Sequence, residues 1–251
     1  MSNAEILCLY DEGAKVGTHL VGGKGSSILI DVDGERTLFD TGARGKVLVR
    51  NMAELDIDAD SVNRVVISHG SLYHIGGLNA FMDNRKEKVE VYSHPSSWSV
   101  KRMFGGAIVS EENAPGIIHR YIDNEWVQLS RNLFITPPIN RVANESALVL
   151  STSEGAVIIS ACGVAGIVET LKVVAQKFDR IYAIVGGVAL RKMKQPQVNL
   201  IASEIREAFG VRKLILNGCT GADGIQKMRV ATSMESVKDL FAGESVEFQT
   251  Y

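Results

Sequence analysis

Short apolar runs rich in β-branched residues recur along the chain, each bounded by a turn signal, and each predicts a buried strand. Ser26–Val32, Asp33-Gly34 and Glu35–Phe39 together predict a hairpin, because glycine tolerates the positive φ of a type I′ turn. Glu5–Tyr10 predicts an edge strand ahead of it. Lys46–Leu55 places Leu48, Met52 and Leu55 on one helical face, and Asp60 or Ser61 ends the turn that follows. Arg64–Ile67 and Val89–Tyr92 predict two further strands. The first of them breaks into a polar loop, and Gly76-Gly77 then precedes a helix that begins at Leu78.

From Trp126 the pattern starts again. Strands are predicted at Trp126–Leu129, Leu133–Thr136, Ser146–Thr152 and Ala156–Ser160, the last two joined by the Ser153-Glu154-Gly155 turn. Ile167, Leu171, Val174 and Phe178 form one stripe of a helix over Val168–Phe178. A strand at Ile181–Val185, a Gly186-Gly187 break, a basic link at Arg191–Lys194, a helix across Leu200–Phe209 and a strand at Lys213–Leu216 follow. Such alternation predicts α/β layering. Ser96–Asp123 is the least regular segment, with Gly105-Gly106, Glu111-Glu112-Asn113 and Pro115-Gly116 in quick succession. It is expected to form a lid-like insertion over residues 96–123, with Arg102, Met103 and Phe104 as lid contacts.

Composition narrows the function classes. A chain of 251 residues can bury one large core, so residues 1–251 are expected to form a single domain. With 27 basic and 29 acidic residues the net charge is -2, and no basic stripe offers a nucleic-acid surface. Cys8, Cys162 and Cys219 are odd in number and lack CxxC spacing, which argues against a disulfide framework and a zinc ribbon. MSNAEILCLYDEG has no basic n-region before a long apolar stretch, and no run approaches the roughly 18–20 apolar residues of a membrane span. A soluble, cytoplasmic protein without a membrane partner is expected, its oligomeric state open.

Candidate chemistry concentrates in Arg64–Met82, RVVISHGSLYHIGGLNAFM, where His69 and His74 follow the carboxyl end of a strand, a common place for a ligand crevice. The frame resembles the H-x-H-x-D-H signature of the metallo-β-lactamase-fold superfamily, with Ser71 and Tyr73 at the second histidine and the aspartate. Phe39-Asp40-Thr41-Gly42 resembles the element that buttresses the signature loop through its aspartate, and by itself reads as a strand-ending Asx turn. His94-Pro95 resembles a pair that positions the neighbouring loop without binding metal. By itself, His94 reads as a hydrogen-bonded structural histidine.

Later motifs narrow the resemblance to the dihydropterin ribofuranosylaminobenzene phosphate synthase-like branch, which carries G-C-S-H-A-G-I, G-G-F-H-L and H-C-T-G. The corresponding segments are Ala161-Cys162-Gly163-Val164-Ala165-Gly166-Ile167, Gly186-Gly187-Val188-Ala189-Leu190 and Gly218-Cys219-Thr220-Gly221, and the five motifs span residues 26–224. The resemblance implies a four-layer αββα sandwich. It also implies histidine ligands where Val164, Ala189 and Gly218 stand, so that, with Ser71 and Tyr73, only His69 and His74 keep a family donor.

A structural zinc takes four protein ligands and a catalytic one usually three plus water. The favoured reading therefore has no metal cofactor, with zinc or another divalent metal as the alternative. Without it the superfamily's hydrolysis lacks its metal-activated water. Cys162 and Cys219 lie near the expected pocket and thiolate binds zinc well, but the family pattern already has cysteines there as non-ligands, and Asp40 supports a ligand from behind. Metal-free chemistry is a further option: Ser71, His74 and Asp40 are the residue types of a nucleophile, base and orienter, though Ser71 lacks a G-x-S-x-G elbow. Cys162 or Cys219 beside a histidine would be an activated thiol.

The expected pocket comprises Asp40, Ser71, Tyr73, Cys162, Gly163, Val164, Ala189, Gly218, Cys219, Thr220 and Gly221 around the candidate catalytic pair His69 and His74. Backbone N–H groups of the turns Cys162–Gly166 and Cys219–Gly224 are expected to receive a phosphate, a carboxylate or a pterin-like heterocycle. The same glycines also read as allowing close strand-to-helix packing. Tyr73 is expected to fill the vacated metal volume. These readings lead to a protein that binds a small anionic, phosphorylated or pterin-like ligand, or a protein partner, without metal-dependent hydrolysis. The alternative is a residual metal-dependent hydrolase or transferase using His69 and His74 with a reshuffled ligand set.

Overall fold

The computed structural model describes residues 2–100, 107–140, 143–232 and 237–251. Arg102, Met103 and Phe104 lie outside the described residues. In chain order, β1 (Ser2–Tyr10), β2 (Ser27–Val32), β3 (Glu35–Phe39), β4 (Arg64–Ile67), β5 (Val89–Ser93) and β6 (Ile117–Tyr121) build one sheet. A second sheet takes β7 (Val127–Gln128), β8 (Leu133–Ile135), β11 (Leu148–Thr152), β12 (Gly155–Ser160), β13 (Ile181–Gly186), β14 (Lys213–Leu216) and β15 (Val237–Asp239). Between β8 and β11 the chain makes a two-stranded ribbon of β9 (Ile139–Asn140) and β10 (Asn144–Glu145). The last strand, β16 (Ser245–Thr250), returns to the first sheet.

Period-two alternation explains why these strands are apolar almost throughout. Val66 points between the sheets while Val65 and Ile67 point outward under helices, so both faces of β4 are buried and its sequence is a continuous apolar run. The central layer joins Ile6, Ile28 and Val66 of one sheet to Leu148, Val157 and Val185 of the other. Outside the first sheet, α1 (Gly45–Glu54) and α3 (Leu78–Asp83) place Leu48, Met52, Leu78 and Phe81 over Leu38 and Val91, with the single turn α2 (Leu72–Ile75) between them. Outside the second, α4 (Ile167–Ala175), α5 (Gln195–Ser203) and α6 (Ala222–Thr232) place Leu171, Val198 and Ile225 over Val149, Ile158 and Ile184. Each such side chain contributes about 1.5–3 kcal/mol by leaving water. The layers are helix, sheet, sheet, helix, the expected αββα sandwich.

The expected hairpin forms with Val32 opposite Glu35, and Asp33 (φ 57°) and Gly34 (φ 83°) supply its two left-handed turn residues. Three details differ from expectation. β1 is not an edge strand, because β16 pairs along it from Ser2 opposite Thr250 to Leu7 opposite Ser245. The segment over 96–123 is not wholly irregular: Ile117–Tyr121 adds β6 at the sheet edge, and its solvent-facing residues hide the apolar alternation of a strand. The helix expected across Leu200–Phe209 starts earlier, at Gln195 just before Pro196, and ends in a π-helical turn over Glu204–Ala208. Among the described residues no helix is long and apolar enough to cross a membrane.

Candidate functional site

The site assembles where β3 and β4 end. β3 runs into Asp40, held at φ 61°, and β4 runs into Ser68 and His69. Ser71 then caps α2, its hydroxyl accepting from the Tyr73 N–H at 3.3 Å, and α2 carries His74 inward until it is 2% exposed. The Thr41 N–H and hydroxyl both donate to the His74 carbonyl, at 2.7 and 3.0 Å, fastening α2 to the β3 end. Gly77 allows this closeness, since a Cβ there would lie 2.1 Å from the Thr41 carbonyl oxygen.

Asp40 is fully buried and uses both carboxylate oxygens. Oδ1 accepts from the Ser68 N–H at 2.8 Å, and Oδ2 accepts from the Ser68 hydroxyl at 2.7 Å and meets His74 Nδ1 at 2.6 Å. Burial alone would pull the His74 pKa down, but the charge and hydrogen bond of Asp40, helped by Cys162, push it up to about 10. His74 is therefore an imidazolium paired with Asp40 at neutral pH, leaving Nε2 for the Cys162 thiol. His69 differs although its ring centroid lies 4.4 Å away. Its Nδ1 is 2.9 Å from the Ser68 hydroxyl, and burial, then repulsion by His74, lower its pKa to about 4. Of two adjacent histidines, one is thus cationic and the other neutral at neutral pH.

Cys162 follows β12 and Cys219 follows β14, and the parallel pairing of β12, β13 and β14 brings both strand ends to His74. Donor atoms of His74, Cys162 and Cys219 all lie within 4.8 Å of one another. The thiols share a hydrogen bond, and they titrate as a pair. Cys219 donation, then the facing His74, bring Cys162 well below the ordinary thiol range, while the resulting negative charge and burial raise Cys219 well above it.

These three side chains floor a cavity of about 360 Å³. Tyr73, Val164 and Ala189 line it, as do Lys24, Arg191 and Glu12, of which Arg191 pairs with Glu12 at 2.6 Å. A cavity of about 430 Å³ near Lys213, Lys238, Asp239 and Glu244 is larger but has no buried imidazole or thiol in its wall. Of the expected residues, Asp40, His69, Ser71, Gly163, Gly218, Thr220 and Gly221 do not line this cavity. Tyr73 does not fill a buried volume; it is 51% exposed beside the cavity, because α2 aims His74 inward and so turns its preceding neighbour outward. His94 accepts from the Ser96 N–H at 3.2 Å, its Nδ1 2.7 Å from the Ser96 hydroxyl.

Much of the backbone in the glycine-rich turns already has a partner. Glu145, 4% exposed, accepts from the Cys162 and Gly163 N–H groups through Oε1 at 3.3 and 2.9 Å and from Ala165 through Oε2 at 2.8 Å. The nest expected to take a ligand anion holds the protein's own carboxylate instead. In the second turn the Gly218 N–H donates to Asp11 and the Cys219 N–H to Asn217 Oδ1, while Thr220 and Gly221 donate to backbone carbonyls. The Thr220 hydroxyl accepts from the Val188 N–H. Positive charge at the cavity comes from side chains, and Glu12, Lys24, Gly25 and Arg191 are the wall residues that motif reading missed. The glycine run Gly22-Gly23-Lys24-Gly25 and the basic link after Gly186-Gly187 were the available signals.

A sequence model of the metallo-β-lactamase superfamily matches residues 20–150. The chain is 23% identical over 289 aligned positions to the 7,8-dihydropterin-6-methyl-4-(β-D-ribofuranosyl)-aminobenzene-5′-phosphate synthase of Methanocaldococcus jannaschii, covering 99% of this chain and 98% of that one. Among solved structures, a metal-dependent hydrolase of the β-lactamase superfamily superposes with a TM-score of 0.79 at 25% identity, over 97% of this chain and 98% of the other. The metallo-β-lactamase fold protein YhfI of Bacillus subtilis shares the fold, with a TM-score of 0.69 at 12% identity over 98% of this chain and all (100%) of that one.

Proposed function

Since the chain belongs to the metallo-β-lactamase superfamily, we propose that it is a member without the two-metal hydrolytic centre, and that its cavity binds a small anionic, phosphorylated or pterin-like ligand. The carrying observation is the composition of the cavity wall: Val164 and Ala189 present only apolar atoms where the family resemblance places histidines. Asp40 has both oxygens engaged by Ser68 and His74, and His69 does not line the cavity. The donors present do not fit a pair of metal ions.

Ligand recognition in this reading needs no metal. Lys24 and Arg191 supply positive charge at the cavity, and Tyr73 with Val164 and Ala189 supplies apolar surface for a flat heterocycle. The Methanocaldococcus relative, a dihydropterin phosphate synthase by name, supports that ligand class. The second reading is a residual metal-dependent hydrolase or transferase that uses His69 and His74 with a reshuffled ligand set. It draws support from the structural neighbour described as a metal-dependent hydrolase.

Chelator-treated protein, screened by thermal shift against phosphate monoesters and reduced pterins, separates the two. Stabilisation by one of these compounds without turnover is expected, and Lys24→Glu should weaken it several-fold. Turnover that appears only on adding divalent ions, and disappears in His69→Ala/His74→Ala, would overturn the first reading in favour of the second.

A further inference from the structure

We propose that His74, Cys162 and Cys219 form a seat for one thiophilic cation, zinc(II) being the ion to test, which shares His74 with the superfamily's ligand set and takes its two thiols from outside that set. The proposal goes beyond the ligand reading and does not rest on it.

Three observations carry it. Donor atoms of the three side chains lie within 4.8 Å of one another. In a zinc tetrahedron with Zn–S about 2.3 Å and Zn–N about 2.0 Å, donors stand about 3.5–3.8 Å apart, so closing on an ion needs only small side-chain rotations. The histidine is backed by a carboxylate, with Asp40 Oδ2 2.6 Å from Nδ1, and its side chain also hydrogen-bonds Cys162. That carboxylate–histidine arrangement fixes the tautomer a metal needs. Both cysteines sit on pinned backbone: the Cys162 N–H donates to Glu145 and the Cys219 N–H to Asn217.

The donor chemistry agrees with the geometry. A metal takes cysteine as thiolate and histidine through a bare ring nitrogen, so uptake of one zinc(II) would displace the protons these donors carry, and the two thiolates would neutralise the ion. All three donors also line the cavity, so the fourth coordination position opens onto it. The soft donor pair favours zinc(II) over magnesium or calcium. Cys162 and Cys219 are places where the family resemblance takes no ligand, which is what separates this seat from the ancestral centre.

The test uses full-length protein prepared without a metal-affinity tag, reduced and stripped by chelator. Titration with cobalt(II) should reach about one equivalent and produce the near-ultraviolet thiolate-to-cobalt charge-transfer band, which zinc(II) should abolish by displacement. Cys162→Ser and Cys219→Ser should each weaken binding at least about tenfold, whereas Cys8→Ala, which removes the thiol remote from the seat, should leave it intact. Because a variant can fail to fold, a second readout uses the unmodified chain. Zinc(II) should slow alkylation of Cys162 and Cys219, read by peptide mass spectrometry, without changing that of Cys8. Absence of the charge-transfer band in folded, reduced protein, or alkylation unaffected by zinc(II), would overturn the seat. The thermal-shift screen with chelated protein tests the ligand reading separately, so either can fail alone.

Discussion

Glu145 is the residue whose removal tests the architecture of the site most directly. Its carboxylate accepts three backbone N–H bonds at 2.8, 2.9 and 3.3 Å while almost wholly buried. Hydrogen bonds to charged groups contribute about 1.5–3 kcal/mol each, and the longest of the three counts for less, so their gross contribution is about 4–6 kcal/mol. Burial opposes it, pushing the Glu145 pKa above the ordinary carboxylate value. The net cost of Glu145→Ala is thus about 3 kcal/mol, which for a domain of this size lowers the melting temperature by about 6–12 °C. The emptied turn would then be an anion nest with three unpaired donors. Sulfate or phosphate should restore part of the lost stability in the variant, and do so more strongly than in the wild type. Differential scanning calorimetry across a sulfate series reads both effects. A melting temperature within about 2 °C of wild type, or equal salt responses, would refute the claim that Glu145 occupies the turn in place of a ligand.

The two histidines should give opposite pH signatures. The His74 pKa is raised to about 10, so its contribution is fully present below the unfolded histidine value near 6.5 and is lost as pH rises toward 10. The His69 pKa is lowered to about 4, so its contribution is present above 6.5 and is lost as pH falls toward 4. Urea midpoints of wild type, His74→Gln and His69→Gln, measured from pH 4 to 10, should show the alkaline limb vanish in the first variant and the acid limb flatten in the second. Gly77→Ala should destabilise by about 1–3 kcal/mol through the clash with the Thr41 carbonyl. An unchanged urea midpoint in that variant would mean α2 is not fastened against β3.

Local signals made much of the framework legible. The Asp33-Gly34 turn, the helical spacing of Leu48 and Met52, and the apolar run of β4 each encode a conformation within a few residues, and each formed as the pattern predicts. Alternating strands and helices implied α/β layering, since such elements have few ways to bury both faces, and the resemblance of the motifs to the superfamily implied the four-layer αββα order. β16 escaped because only Phe248 and Thr250 of its six residues are buried. Its partner, β1, lies at the other end of the chain, and no local periodicity records such a pairing.

Chemistry at the site divides along the same line. From sequence alone came the placement of His69 and His74 after a strand, the apolar or hydrogen side chains at Val164, Ala189 and Gly218, and the presence of Cys162 and Cys219 on turns. Only the folded chain decided that Glu145 fills the first turn, that Arg191 meets Glu12, and that Tyr73 faces outward while His74 faces the two thiols. Only the fold, too, sets the adjacent histidines apart: Asp40 meets a ring nitrogen of His74 and favours its cation, while burial and the neighbouring His74 charge keep His69 neutral. Residue types and turn propensities are properties of short stretches, and a sequence carries them openly. Which distant carboxylate, thiol or cation reaches a given atom depends on strand order and register, which tertiary packing sets.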